Sequence, residues 1–105
     1  LLTQRDDFTG YAEANARSVA GMLDGPVMPR LATLTVPTRI VYGTADRLIP
    51  NPYLNPNLTI QDIAQSAAEA SPMTRVSLLD GAGHLLPLEQ SAAFAAIVLE
   101  FLQAE

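Results

Sequence analysis

An α/β fold is predicted by the order of hydrophobic patterns along the chain. A short β-branched run, a helical stripe, a second short run and a second helical stripe follow one another. Strand–helix–strand units of this kind place their strands parallel in one sheet, with a right-handed crossover. The chain has 105 residues, 49% of them hydrophobic, which predicts a folded chain with one modest core.

The first predicted element is an amphipathic helix over residues 11–23. Its apolar residues recur at helical spacing and are Ala12, Ala16, Val19, Ala20 and Leu23. Gly25 and Pro26 stand where helices end. Residues 26–37 are predicted to be a connector.

A buried strand is predicted over residues 38–42, because this β-branched run is bounded by Pro37 and Gly43. Residues 43–57 are dense in Pro, Asn, Gly and Asp, which predicts a long irregular loop. Loops of this length in compact domains are usually either functional or disordered.

The second predicted helix begins after Thr59, which can cap it together with Asp62, and ends at Pro72. Its predicted apolar face is Ile60, Ile63, Ala64, Ala67 and Ala68. A second strand is predicted over residues 75–79 and a turn-rich loop over residues 80–87. The last helix is predicted over residues 91–102, with the stripe Phe94, Ile97, Val98, Phe101 and Leu102.

Two parallel strands cannot close a stable core alone, since parallel sheets are normally wider and covered on both faces. We therefore expect the missing strands to come from upstream residues or from another chain. The predicted content of this chain is two strands and about three helices of a larger sheet.

Charge and composition exclude several classes of function. The chain has 11 Asp and Glu against 6 Lys and Arg, so neither nucleic acid nor a membrane surface is a predicted partner. It has no cysteine and a single histidine, which excludes disulfides, a Cys nucleophile and a His-rich metal cluster. No cofactor is predicted. We expect a soluble chain, cytoplasmic rather than secreted, and a small-molecule substrate.

Both predicted strands lead into loops that carry a titratable group. Asp46 lies in the loop after the first strand and His84 in the loop after the second. Ligands of open α/β sheets bind outside the carboxyl ends of the strands. We therefore predict that Asp46 and His84 meet at that edge.

The sequence around both residues resembles the α/β-hydrolase family. Residues 36–50, VPTRIVYGTADRLIP, are similar to the family's acid-bearing segment, and residues 79–89, LDGAGHLLPLE, are similar to its histidine loop. The order of acid before histidine is the family's order, and the last helix matches its closing helix. The resemblance implies that residues 1–30 are the end of a cap or lid region with a connector, and that residues 31–105 supply the last two core strands with their helices.

In that family a buried carboxylate orients the histidine, which acts as general base and then general acid. The resemblance assigns the first role to Asp46 and the second to His84. It implies hydrolysis of carboxylic esters or related acyl bonds, and it leaves the substrate-binding residues unknown.

One departure from the family is large, because no Gly-x-Ser-x-Gly motif occurs in the sequence. The serines at positions 18, 66, 71, 77 and 91 lie in predicted helices, a strand or their termini. The nucleophile is therefore expected from outside this chain, which alone should be inactive. A serine would indicate esterase-type chemistry and an aspartate epoxide hydrolase or dehalogenase chemistry.

Other interpretations of these residues stay open at this stage. Asp46 could be a turn-forming residue, His84 a structural loop residue, and Asp80 the partner of His84 instead of Asp46. Glu89 is interpreted as capping the last helix or pairing locally.

The loop over residues 43–57 also has two interpretations. It could line a substrate entrance with Pro50, Asn51, Tyr53 and Asn55, or it could be a plain loop with a half-buried aromatic ring. The alternative function is a non-catalytic fragment of the fold that associates with itself or with a partner.

Overall fold

A computed structural model describes residues 7–104. Residues 1–6 of the predicted lid segment and Glu105 lie outside the described residues. The helices are α1 (Phe8–Asp24), α2 (Ile60–Ala70), α3 (Leu86–Glu89) and α4 (Ser91–Gln103), with a 3-10 helix at Met28–Thr33. The strands are β1 (Thr38–Gly43) and β2 (Thr74–Leu79). The described chain therefore has a mixed α/β architecture.

The two strands pair in parallel, which confirms the predicted parallel pairing. Their register runs from Thr38 opposite Thr74 to Gly43 opposite Leu79. Since both strands end at the same level, the loop after β1 and the loop after β2 leave the sheet side by side.

A small cluster beneath these loops forms part of the core. Its buried residues are Leu79, Ala82 and Leu86, and Val41, Phe94 and Ile97 pack against it. The cluster joins the end of β2, the histidine loop, α3 and α4. Packing in the core therefore fixes the backbone on both sides of the histidine.

Helix α2 connects the strands and packs chiefly against β2. Its predicted start is confirmed, because the Thr59 hydroxyl accepts from the Asp62 N–H and the Asp62 carboxylate accepts from the Thr59 N–H. Ile60, Ala64 and Ala67 are buried and Ile63 is half-buried. The prediction for Ala68 is wrong, since this residue is exposed.

Three further predictions need correction. Strand β1 is half-buried rather than buried, because only Gly43 of its six residues is fully covered. The predicted loop 80–87 ends early, since Leu86 and Pro87 begin α3; Pro87 lies in the first turn, where proline is tolerated. In α4, Val98 and Leu102 are exposed, so the core of the described residues covers only part of the predicted stripe.

Helix α1 confirms the predicted first helix but buries none of its residues. Its apolar side chains, among them Tyr11, Met22 and Leu23, are exposed. The apolar face predicted for this helix is therefore uncovered within residues 7–104. None of the described helices is both long and apolar enough to cross a membrane.

Candidate active site

The side chains of Asp46 and His84 meet at the carboxyl edge of the sheet. His84 Nδ1 lies 2.9 Å from Asp46 Oδ2. The predicted juxtaposition of the two residues is thereby confirmed. The Asp46 side chain is only 4% exposed, whereas the His84 side chain is 42% exposed, so the carboxylate is covered and the imidazole faces outward.

The acid is held by its own loop as well as by the histidine. Asp46 Oδ1 accepts hydrogen bonds from the backbone N–H groups of Leu48, at 2.8 Å, and Ile49, at 3.1 Å. This local arrangement is one that Asp favours after a turn. The turn-forming role and the contact with His84 therefore coexist, each using a different carboxylate oxygen.

These contacts determine the charge of Asp46. Burial by itself would raise the pKa of the carboxyl group, but hydrogen bonds from the His84 ring and from the Leu48 and Ile49 N–H groups outweigh burial. The pKa of Asp46 is therefore lower than its usual 3.8. Asp46 is a carboxylate at neutral pH and accepts the hydrogen bond from His84 Nδ1–H.

With Nδ1–H directed at the carboxylate, neutral His84 carries its lone pair on Nε2. Within residues 7–104, Nε2 has no hydrogen-bond partner. The arrangement can therefore take a proton from a group placed against Nε2, while Asp46 stabilises the imidazolium that forms.

A second set of contacts locks the acid loop to the histidine loop. The Thr44 hydroxyl donates to Asp80 Oδ1 at 3.0 Å and accepts from the Gly81 N–H at 2.8 Å. The Ala45 N–H donates to the Ala82 carbonyl at 2.9 Å. Asp80 thus binds Thr44 rather than His84, which removes it as the partner of the histidine.

The contribution of Thr44 was not found from the sequence. The position of Thr44 could have indicated it. Gly43 and Leu79 are register partners at the ends of the two strands. Thr44 and Asp80 are the residues that follow them. A hydroxyl and a carboxylate that directly follow neighbouring parallel strands at the same level can form a hydrogen bond.

Glu89 pairs locally, as one of its two interpretations predicted. Its carboxylate accepts from the N–H groups of Gly83, at 3.2 Å, and Leu85, at 3.1 Å. The other interpretation is wrong, since α4 has no side-chain cap.

An open cleft of about 470 Å³ lies beside the acid loop, within the roughly 300–1,000 Å³ of small-molecule sites. Asp46, Pro50 and Asn55 line it together with the residues that begin α2, but His84 does not. Tyr53 lies outside it and is 92% exposed, so the prediction of a half-buried ring is wrong. Asn51 also lies outside the cleft, and its Oδ1 accepts hydrogen bonds from the Tyr53 and Leu54 N–H groups.

None of the described serines bonds to His84. Ser77 accepts from Arg39, and Ser71 accepts from the Met73 N–H. Ser18 and Ser66 are exposed on α1 and α2, and Ser91 begins α4. The described residues also contain no group of three or more His, Asp or Glu side chains that could hold a metal ion.

The chain was compared with family models, with curated proteins and with solved structures, and none of the three comparisons gave a significant match.

Proposed function

We propose that this chain supplies the acid and the histidine of a hydrolase that works by nucleophile–His–acid catalysis. Asp46 orients His84, and His84 acts as general base toward the nucleophile and as general acid toward the leaving group. The substrates are carboxylic esters or related acyl bonds. The observation that carries this proposal is the 2.9 Å contact between His84 Nδ1 and a covered Asp46 carboxylate, with Nε2 left open.

The nucleophile comes from outside the described residues, from other parts of the protein or from a second chain. This part of the proposal is supported by the positions of the serines, none of which meets His84. It is also supported by the sheet, which has two strands in the described chain although parallel sheets are normally wider. The resemblance of residues 36–50 and 79–89 to the α/β-hydrolases supports the reaction class.

The proposal is tested on the assembled protein, which is this chain together with the part that carries the nucleophile. The rate of hydrolysis of an activated ester is compared between Asp46→Asn and Asp80→Asn. Both substitutions remove a carboxylate at the end of a strand, but only Asp46 contacts His84. An amide at position 46 fails to hold the imidazole tautomer, so kcat should fall by orders of magnitude, roughly 10⁴-fold in a comparable triad. Asp80→Asn should lose far less. Equal losses in the two variants would contradict the orienting role of Asp46.

A second candidate is a non-catalytic module that associates with itself or with a partner. The exposed apolar side chains of α1 and α4 favour it. The two candidates differ in what they require of the site, since a binding module has no use for an open Nε2. Association that is unchanged by His84→Ala, in a protein without hydrolase activity, would favour this second candidate.

A further inference from the structure

Glu89 bridges the backbone on both sides of His84. It ends the single turn of α3, and its carboxylate reaches back to the loop that precedes this turn. Oε1 accepts from the Gly83 N–H and Oε2 accepts from the Leu85 N–H. Each oxygen therefore accepts from the N–H group of one of the two residues next to the histidine.

The sequence of the loop makes room for this carboxylate. A Cβ on residue 83 would lie 2.7 Å from Glu89 Oε1 and 2.8 Å from Oε2. These distances are below those of real carbon–oxygen contacts, so a side chain at this position would displace Glu89. Glycine at position 83 therefore serves the approach of Glu89.

Besides the contact between His84 and Asp46, the loop is anchored on either side of residues 83–85. Upstream, the buried Ala82 is held through its carbonyl by the Ala45 N–H. Downstream, Leu86 is buried in the core cluster. Between these two anchors, the Glu89 carboxylate restrains the N–H groups of Gly83 and Leu85. Hydrogen bonds that involve a charged acceptor are roughly twice as strong as neutral ones.

We propose that Glu89 is a positioning residue, which sets the orientation of the His84 imidazole toward Asp46 by clamping the Gly83 and Leu85 N–H groups. The inference rests on the proposed function, since the orientation of His84 matters for catalysis only if His84 is the base. One consequence does not depend on catalysis: without the Glu89 carboxylate, the contact between His84 Nδ1 and Asp46 should loosen.

The single histidine of the chain gives a direct readout. We suggest that histidine be isotope-labelled in this chain only, within the assembled protein, and that its ring nitrogens be followed by nuclear magnetic resonance. The ring nitrogen shifts report which nitrogen carries the proton, and hydrogen exchange of Nδ1–H reports how well Asp46 holds it. The measurement needs no turnover, so its outcome is separate from that of the ester assay.

Glu89→Ala removes both acceptors, and the exchange rate of Nδ1–H should rise by about tenfold or more as the Nδ1–H tautomer loses population. Glu89→Gln keeps the length and one carbonyl acceptor but replaces the other oxygen by an N–H donor, so its effect should be intermediate. The matched control is Glu69→Gln, because Glu69 is an exposed helical glutamate that, among residues 7–104, accepts only from the Gln65 side chain. This control should leave the histidine signals as in the wild type.

Amide signals of the core, such as that of Ala82, show whether each variant is folded. If Glu89→Ala does not fold, the Glu89→Gln variant decides whether Glu89 positions the histidine. A tautomer and an exchange rate in folded Glu89→Gln that equal those of Glu69→Gln would overturn the positioning role. So would a loss of thermal stability in Glu89→Ala without any change at the histidine.

Discussion

A Cβ on Gly43 would lie 2.1 Å from the carbonyl oxygen of Ala82. The last residue of β1 and the loop after β2 are therefore in direct backbone contact. This contact brings the acid loop close enough for Ala45 to bond Ala82 and for Asp46 to reach His84. Glycine at position 43 is required by this close approach.

Gly43→Ala should therefore destabilise the assembled protein by about 1–3 kcal/mol, the usual cost of overpacking a filled site. The matched control is Gly21→Ala in α1, where a Cβ would meet no atom of the described residues within 4 Å. This control should stabilise the helix by about 0.5–1 kcal/mol, because alanine is the better helix former. Denaturant unfolding measures both, and a neutral Gly43→Ala would show that the loops do not touch as described.

Thr59→Ala should lower the free energy of unfolding by about 1 kcal/mol, because it removes the hydroxyl that caps α2. Ser66→Ala is the control, since Ser66 is exposed in the middle of the same helix; its effect should stay within about 0.5 kcal/mol. Unfolding followed by circular dichroism compares the two. Equal effects would mean that the capping box contributes nothing specific.

The lowered pKa of Asp46 predicts a loss of stability in acid. Because the folded chain binds this proton less readily than the unfolded chain, the stabilisation is fully present above the usual pKa of 3.8. It is lost as the pH falls below that value and passes through the folded pKa. Between about pH 5 and pH 2 the wild type should lose more stability than Asp46→Asn, which has no carboxyl group to protonate.

Unfolding midpoints measured against pH provide the check. Asp62 also has a lowered pKa, because its carboxylate accepts from the Thr59 N–H and hydroxyl. Asp62 titrates in both proteins, so the difference between the two curves isolates Asp46. Superimposable curves would contradict the hydrogen bonding described for this carboxylate.

Expressed alone, the chain should be weakly folded or associated. Helix α1 buries none of its residues, and large apolar side chains of α1 and α4 are exposed. Exposed apolar surface of this kind favours association. Sedimentation combined with denaturant unfolding tests this, and a monomer with one sharp, cooperative transition would show that the chain needs no partner.

The positions of the strands and of the site follow from local sequence signals. Pro37 and Gly43 bound a β-branched run, and two strands joined by a helix lie parallel, so Asp46 and His84 share one edge. The cap of α2 could be predicted in the same way, because Thr59 and Asp62 are only three residues apart in the sequence.

Burial was harder to predict, since it depends on what covers each face. Val98 and Leu102 follow helical spacing but are exposed among the described residues. The contacts of Thr44 with Asp80 and of Glu89 with the histidine loop depend on the exact approach of two backbones. Residue spacing alone does not encode that approach.

The most direct test of the central claim is the rate of activated-ester hydrolysis by the assembled protein carrying His84→Ala. The substitution removes the group that takes the proton from the nucleophile and returns it to the leaving group. We expect kcat to fall by roughly 10³-fold or more, with little change in substrate binding, while the chain alone shows no turnover. A rate close to that of the wild type in folded His84→Ala, or activity of the isolated chain that depends on one of its own serines, would contradict the account.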